Sequence, residues 1–138
     1  MKIQLKGWKV KNLSLEINNE PSRVSKENSF NLSIGYSFPE DNDTEFGIGF
    51  IIDIGDAEFK ITLEMLFFFQ VDQVVDEELK QSDFVKINAP AIAFPYVRSY
   101  ISNLTLQSGF NPIILPSVNF VALVRNKNEN EIKQKESE

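Results

Sequence analysis

Asn88–Leu123 reads NAPAIAFPYVRSYISNLTLQSGFNPIILPSVNFVAL, and its punctuation decides the fold. Asn88 suits a helix N-cap, and Pro90 falls in the first turn, where its missing N–H does no harm. Ala93, Tyr96, Val97, Tyr100, Ile101 and Leu104 then follow the three-and-four spacing of one helical face. Arg98, Ser102, Asn103 and Gln107 occupy the wetter side. Pro95 sits awkwardly, since a proline inside a helix costs about 3 kcal/mol. Two solutions remain open: a helix that starts near Phe94, or a turn kinked there. Gly109 is a natural C′ residue and Pro112 prevents continuation. Val118–Val124 is short and apolar, and periodicity alone does not separate helix from strand.

Upstream the period changes to two. Phe30, Leu32, Ile34, Tyr36 and Phe38 alternate with polar or small residues, as do Phe46, Ile48, Phe50, Ile52 and Ile54. A third run extends from Phe59 through Ile61, Leu63, Met65, Phe67 and Phe69 to Val71. The polar stretch Pro39–Thr44 and the tetrad Asp53-Ile54-Gly55-Asp56 read as the turns between them, with Gly55 free to take positive φ. Short turns between alternating runs predict an antiparallel meander. The first strand is irregular. Ile3 and Leu5 share one parity, Trp8 and Val10 the other, and Leu13, Leu15 and Ile17 return to the first, so bulges are expected near Gly7 and Asn12. Asn18–Ser22 ends that strand and opens a polar connection to Asn28. Asp72–Ile87 reads as a charged loop with a turn of helix around Asp76–Lys80. A single domain over residues 1–124 is expected, with residues 125–138 a polar, disordered tail.

Composition excludes more chemistry than it suggests. With no Cys and no His, the chain lacks the usual nucleophile–base pairs and the commonest zinc ligands, so no metal, no cofactor and no enzymatic activity are expected. A net charge of −6 argues against nucleic acid. No apolar run reaches the roughly 20 residues of a membrane span, and no signal-peptide core opens the chain, which predicts a cytoplasmic protein without membrane insertion. The carboxylates of Glu40, Asp41 and Asp43, and of Asp76, Glu77 and Glu78, sit in turn-like runs and read as solvated loop charge. Gly47-x-Gly49 lies within a strand pattern and fails as a phosphate loop.

The 12 phenylalanines are more informative. Most fall on one regular face of the strands, where they read as core. Leu66 and Phe68 point the other way, and Ile51 breaks its own strand in the same sense. A strand apolar on both faces needs both covered. The Ala93–Leu104 helix is expected to cover one face, and a neighbouring subunit or a bound client the other.

The motifs Phe94-Pro95-Tyr96-x-Arg98, Ser108-Gly109-Phe110, Pro112 and Pro116-x-Val118-Asn119-Phe120 before Ala122-Leu123 resemble, in this order, the C-terminal half of the SecB family of export chaperones. Lys11–Glu16, KNLSLE, resembles that family's Lys-Asp-Ile-Ser-Phe-Glu. The resemblance implies an α+β fold: a four-stranded antiparallel sheet followed by two helices, assembling as a dimer of dimers. Val118–Val124 becomes the second helix. It also implies an ATP-independent holdase for unfolded polypeptides that delivers preproteins to the SecA motor. Glu16 matches an acidic residue by which the family docks SecA. Asn12 stands where an Asp is usual, Thr62 replaces a Glu, and Leu66-Phe67 replaces a Gly pair, which weakens the expected SecA contact. Ile51, Leu66, Phe67 and Phe68 are therefore the candidates for client binding or subunit contact. Two alternatives stay open: a SecB-like chaperone dedicated to another client such as an antitoxin, and a carrier of a small hydrophobic ligand.

Overall fold

The computed structural model describes residues 1–19 and 29–126, and divides into two compact units, Met1–Val75 and Asp76–Glu138. The expected polar connection over residues 20–28 and most of the expected tail, residues 127–138, lie outside the described residues.

The first unit is a four-stranded sheet. Strands β1 (Ile3–Ile17), β2 (Ser29–Ser37), β3 (Glu45–Gly55) and β4 (Phe59–Val71) pair antiparallel in the order β1-β4-β3-β2. The expected meander holds for β2–β4 alone. The first strand instead pairs with the last, across a link far longer than a hairpin's two to five residues.

Two bulges organise β1. Its register with β4 shifts between Leu5 and Gly7 and again between Val10 and Asn12, leaving Lys6 and Lys11 as extra residues. Each shift restores the parity that the sequence breaks. Ile3, Leu5, Trp8, Val10, Leu13, Leu15 and Ile17 thereby stand opposite Val71, Phe69, Phe67, Met65, Leu63, Ile61 and Phe59, on one face throughout. That core face contains the fully buried Phe46, Phe50, Phe59, Phe67 and Phe69 on the two central strands. Removing each such side chain from water contributes roughly 1.5–3 kcal/mol.

The β3–β4 turn differs from expectation. Gly55 ends β3 without positive φ, Gly109 being the one residue described with it. The turn depends on Asp56 instead, whose carboxylate accepts from the Glu58 N–H at 2.9 Å, while its own N–H donates to Phe59 O. Asn18, just past β1, donates its side-chain amide to the carbonyls of Asp56 and Ala57. An Asp side chain thus does the work assigned to glycine's freedom.

The second unit is helical. Short α1 (Glu77–Lys80) is capped by Asp76, whose carboxylate accepts from Leu79 N. A π-helical turn, Phe84–Asn88, runs directly into α2 (Ala89–Gln107). Asn88 is therefore already helical and makes no capping hydrogen bond, contrary to the sequence reading. The helix passes through Pro95 rather than starting there. Its buried face also shifts: Ala93, Val97 and Ile101 are buried as expected, but with Ala89, Phe94 and Thr105 rather than Tyr96. Gly109, at φ +93°, closes α2, and the Phe110 N–H donates back to Thr105 O. After an extended link, α3 occupies residues 120–126, with Asn119 Oδ1 accepting from Ala122 N at its start. It begins two residues later than expected and includes Arg125 and Asn126, which the sequence assigns to the tail.

Candidate functional site

The outer face of the sheet, opposite the core face, is apolar at its centre. Phe68 lies between Gly7 of β1 and Gly47 of β3; Leu66 has Gly49 beside it and Gly35 beyond. Ile51 stands across from Glu64. Glycines on both sides of Phe68 and on the β3 side of Leu66 leave the backbone there bare, and the three side chains border a shallow groove of about 240 Å³. Ile51 is 44% exposed and Phe68 40%; Leu66 is half-buried, its Cδ2 3.3 Å from where a Cβ on Gly49 would sit. Phe67 does not join them. Consecutive strand residues point to opposite faces, and Phe67 is wholly buried on the core face, where Trp8 stacks on it at 6.2 Å and Phe50 meets it edge-on. Tyr36, beside the groove, has its phenol pushed above its ordinary pKa by burial.

Charge rims this surface. Glu16 is exposed, in register with Lys60. Asn12 faces Glu64, which pairs with Lys11 Nζ at 3.5 Å. Thr62 donates its hydroxyl to Asp53 Oδ1 at 3.0 Å. Asn12 and Thr62 therefore each have a carboxylate on the adjacent strand. Only the cross-strand register reveals this: Glu64 is remote from Asn12 in sequence, and Asp53 meets Thr62 across the β3–β4 turn. Along the edge strand β1, Trp8, Val10, Leu13 and Ile17 are exposed although they belong to the core face. The sequence gives no sign that an edge would leave them uncovered.

The motif residues of the second unit fall into two groups. Phe94 and Phe120 are buried and meet edge to face at 5.8 Å; Gly109 and Asn119 form caps. Phe110 is half-buried and Pro116 exposed. Pro95, Arg98 and Pro112 instead line a groove of about 570 Å³ between α2 and the link, while Tyr96 is exposed nearby on α2. The link is tied to the helix by Ser102, which donates to Ile113 O, and by the fully buried Thr105, whose hydroxyl accepts from Ile113 N at 2.9 Å.

Among the described residues no three His, Cys, Asp or Glu side chains gather to hold a metal ion, and no helix is long and apolar enough to cross a membrane. What the surfaces offer is shape and apolar area. A four-stranded antiparallel sheet with an apolar outer patch, followed by helices and a tethered link, defines an α+β protein equipped for binding. Residues 1–131 match the family described as preprotein translocase subunit SecB, and the chain belongs to that family. It is a family of chaperones rather than enzymes.

The protein-export protein SecB of Roseobacter denitrificans is 38% identical over 74 residues, 53% of this chain but only 43% of that relative. The shared stretch thus spans under half of that relative's length. The protein-export protein SecB of Magnetococcus marinus is 31% identical over 122 residues, 83% of this chain and 76% of its own. Among solved structures, the Mycobacterium tuberculosis Rv1957 SecB-like chaperone, in complex with a ChAD peptide from the Rv1956 HigA1 antitoxin, has the same fold. The TM-score is 0.65 at 13% identity, covering 84% of this chain and 87% of that one.

Proposed function

We propose that this chain is an ATP-independent holdase of the export-chaperone type, which captures unfolded polypeptides in the cytoplasm as a homotetramer. The observation that carries the reading is the trio Ile51, Leu66 and Phe68 on the outer face, Ile51 and Phe68 exposed and Leu66 half-buried, with glycines across from Leu66 and Phe68. An unfolded chain presents short apolar segments of no fixed sequence. A shallow apolar surface gains about 25 cal/mol per Å² buried without demanding one, and several weak sites on one oligomer add through effective concentration. No reactive group is needed.

In this reading SecA docks on the charged rim of the outer face, at Glu16 together with Asp53 and Glu64. The test is binding of the purified protein to one reduced, unfolded client and to the same client folded, with oligomer mass read in the same run. Tetramer plus selective capture of the unfolded form supports the reading; a monomer indifferent to both forms overturns it. A second reading, a chaperone dedicated to another client such as an antitoxin, rests on Asn12 and Thr62 lacking a carboxylate of their own, and on the peptide bound in the mycobacterial complex. Saturable binding to one native partner, without general capture, distinguishes it.

A further inference from the structure

Strand β2 ends the sheet: it pairs with β3 along its whole length, and among the described residues no strand pairs on its other side. An edge strand offers a row of backbone donors and acceptors to any other strand, and proteins blunt such rows with charge, proline or bulges. The two edges of this sheet differ in that respect. Edge β1 has two bulges and four charged side chains, Lys6, Lys9, Lys11 and Glu16. Ser29–Ser37, SFNLSIGYS, has no charge and no proline, and its register with β3 runs without a shift. A long, regular and uncharged edge is a surface for pairing.

The order of residues in β2 says what pairs there. Read in either direction from Ser33, it gives the same classes of side chain: an aliphatic (Leu32, Ile34), a small or amide residue (Asn31, Gly35), an aromatic (Phe30, Tyr36) and a serine (Ser29, Ser37). Burial has the same symmetry. Phe30, Leu32, Ile34 and Tyr36 are half-buried on the core face, opposite Ile54, Ile52, Phe50 and Ile48, and the residues between them are exposed on the outer face. A contact across a two-fold axis joins one patch to itself, so it demands a self-complementary surface. A strand from an unrelated protein makes no such demand.

We propose that two copies of this chain join edge to edge through β2, antiparallel about Ser33, so that two sheets merge into one. The axis stands perpendicular to the sheet, which keeps both core faces on the same side. Phe30 lies opposite Tyr36 of the second copy and Leu32 opposite its Ile34, so the apolar rows of the core face continue across the axis. On the outer face Ser33 meets its own counterpart, and Ser29 meets Ser37 of the second copy. Directly opposed aromatic pairs of this kind stabilise neighbouring antiparallel strands. The contact deepens the oligomer reading and rests on it, by naming a surface through which copies meet.

Cysteine cross-linking of the full chain tests this, because the chain has no cysteine of its own. Residues directly opposite on neighbouring strands lie within the Cα separation that a disulfide spans. Ser33→Cys is expected to form covalent dimers under mild oxidation. Ser29→Cys alone is expected to form roughly tenfold fewer, since position 29 stands about 26 Å from its own counterpart at the rise of a strand. Ser29→Cys refolded together with Ser37→Cys is expected to cross-link again. Ser33 is exposed, so charge there leaves the fold intact. Ser33→Lys and Ser33→Glu each set like charges face to face on the axis and are expected to weaken association about fivefold, and an equimolar mixture of the two recovers it. Ser33→Cys that cross-links no better than Ser29→Cys alone overturns the proposal, as does a mixture that associates no better than either charged variant. Light scattering on the unaltered chain separates the two readings. A stable oligomer whose Ser33→Cys variant does not cross-link removes the β2 contact alone, whereas a monomer removes the oligomer reading with it.

Discussion

Phe94 and Phe120 meet edge to face, ring centroids 5.8 Å apart with planes at 76°. One sits in the second turn of α2 and the other opens α3, so the pair closes the far end of the link that Thr105 and Ser102 tie down near its start. Both rings are buried. Phe120→Ala is expected to cost about 3–5 kcal/mol, and Phe120→Leu under about 1.5 kcal/mol. Urea unfolding followed by far-ultraviolet circular dichroism measures the difference. Equal costs would mean that refilling the volume with Leu recovers nothing, so that the edge-to-face ring pair rather than apolar volume carries the contribution.

The bulges make a sharper test. Deleting Lys11 turns Val10, Trp8 and everything before them onto the outer face, whereas deleting Lys6 displaces only Leu5 and Ile3. Replacing either lysine by Ala removes no parity and is expected to stay within about 0.5 kcal/mol of the parent. The order of urea midpoints is therefore parent and substitutions together, then the Lys6 deletion, then the Lys11 deletion. If the two deletions are equally harmful, the alignment of apolar side chains is not what the bulges provide.

Those bulges were legible in the sequence because a strand buried on one face must keep its apolar residues in one parity, and β1 visibly does not. Pairing partners were not legible. Nothing local in Ile3–Ile17 says that it joins β4 rather than β2, since either neighbour offers an apolar row of the same period. The helix start escapes the sequence for a related reason: Asn88 and Pro90 look like a start, yet the π-helical turn that ends at Asn88 supplies helical backbone that no propensity scale reports. At the candidate surface, alternation places Ile51, Leu66 and Phe68 on the outer face, whereas Phe67 enters only through the comparison of Leu66-Phe67 with the family's Gly pair, and its side chain is in the core. The nearness of Asp53 to Thr62 needed the register itself.

Gly109 offers a backbone test. At φ +93° it is in the region that costs an L-residue about 1–2 kcal/mol, although a Cβ there would meet nothing within 4 Å. Gly109→Ala is expected to lose that amount by strain alone, and Gly109→Asn less, because Asn tolerates the conformation better. Thermal unfolding of the two variants separates strain from crowding: crowding would penalise the larger Asn more.

Leu66→Ser and Phe68→Ser test the outer patch. Both side chains lie partly in solvent over glycines, so removing them is expected to change stability far less than Phe67→Ser, which opens the core. Capture of an unfolded client is expected to fall several-fold in the double variant while oligomer mass stays unchanged. A loss of assembly instead would assign the patch to the subunit interface.

The charged rim decides between general export and a dedicated client. Contacts between exposed charges are worth about 0.2–1 kcal/mol each, so Asp53→Asn is expected to weaken binding to SecA by roughly two- to fivefold at low salt. Thr62 then loses the charged acceptor at 3.0 Å but keeps a neutral one, so the sheet itself should be undisturbed. Asn12→Asp works in the opposite direction, adding a carboxylate across from Glu64 on the same face. It is expected to strengthen SecA binding by a similar factor, and both effects should shrink as salt rises, because the Debye length falls to about 8 Å at physiological ionic strength. Titration of labelled SecA against the three proteins at two salt concentrations reads this directly. Opposite shifts that vanish together in salt would identify the rim as the docking surface. No binding by any of them would turn the search to a dedicated native partner, for which Asn12 and Thr62 need no carboxylates.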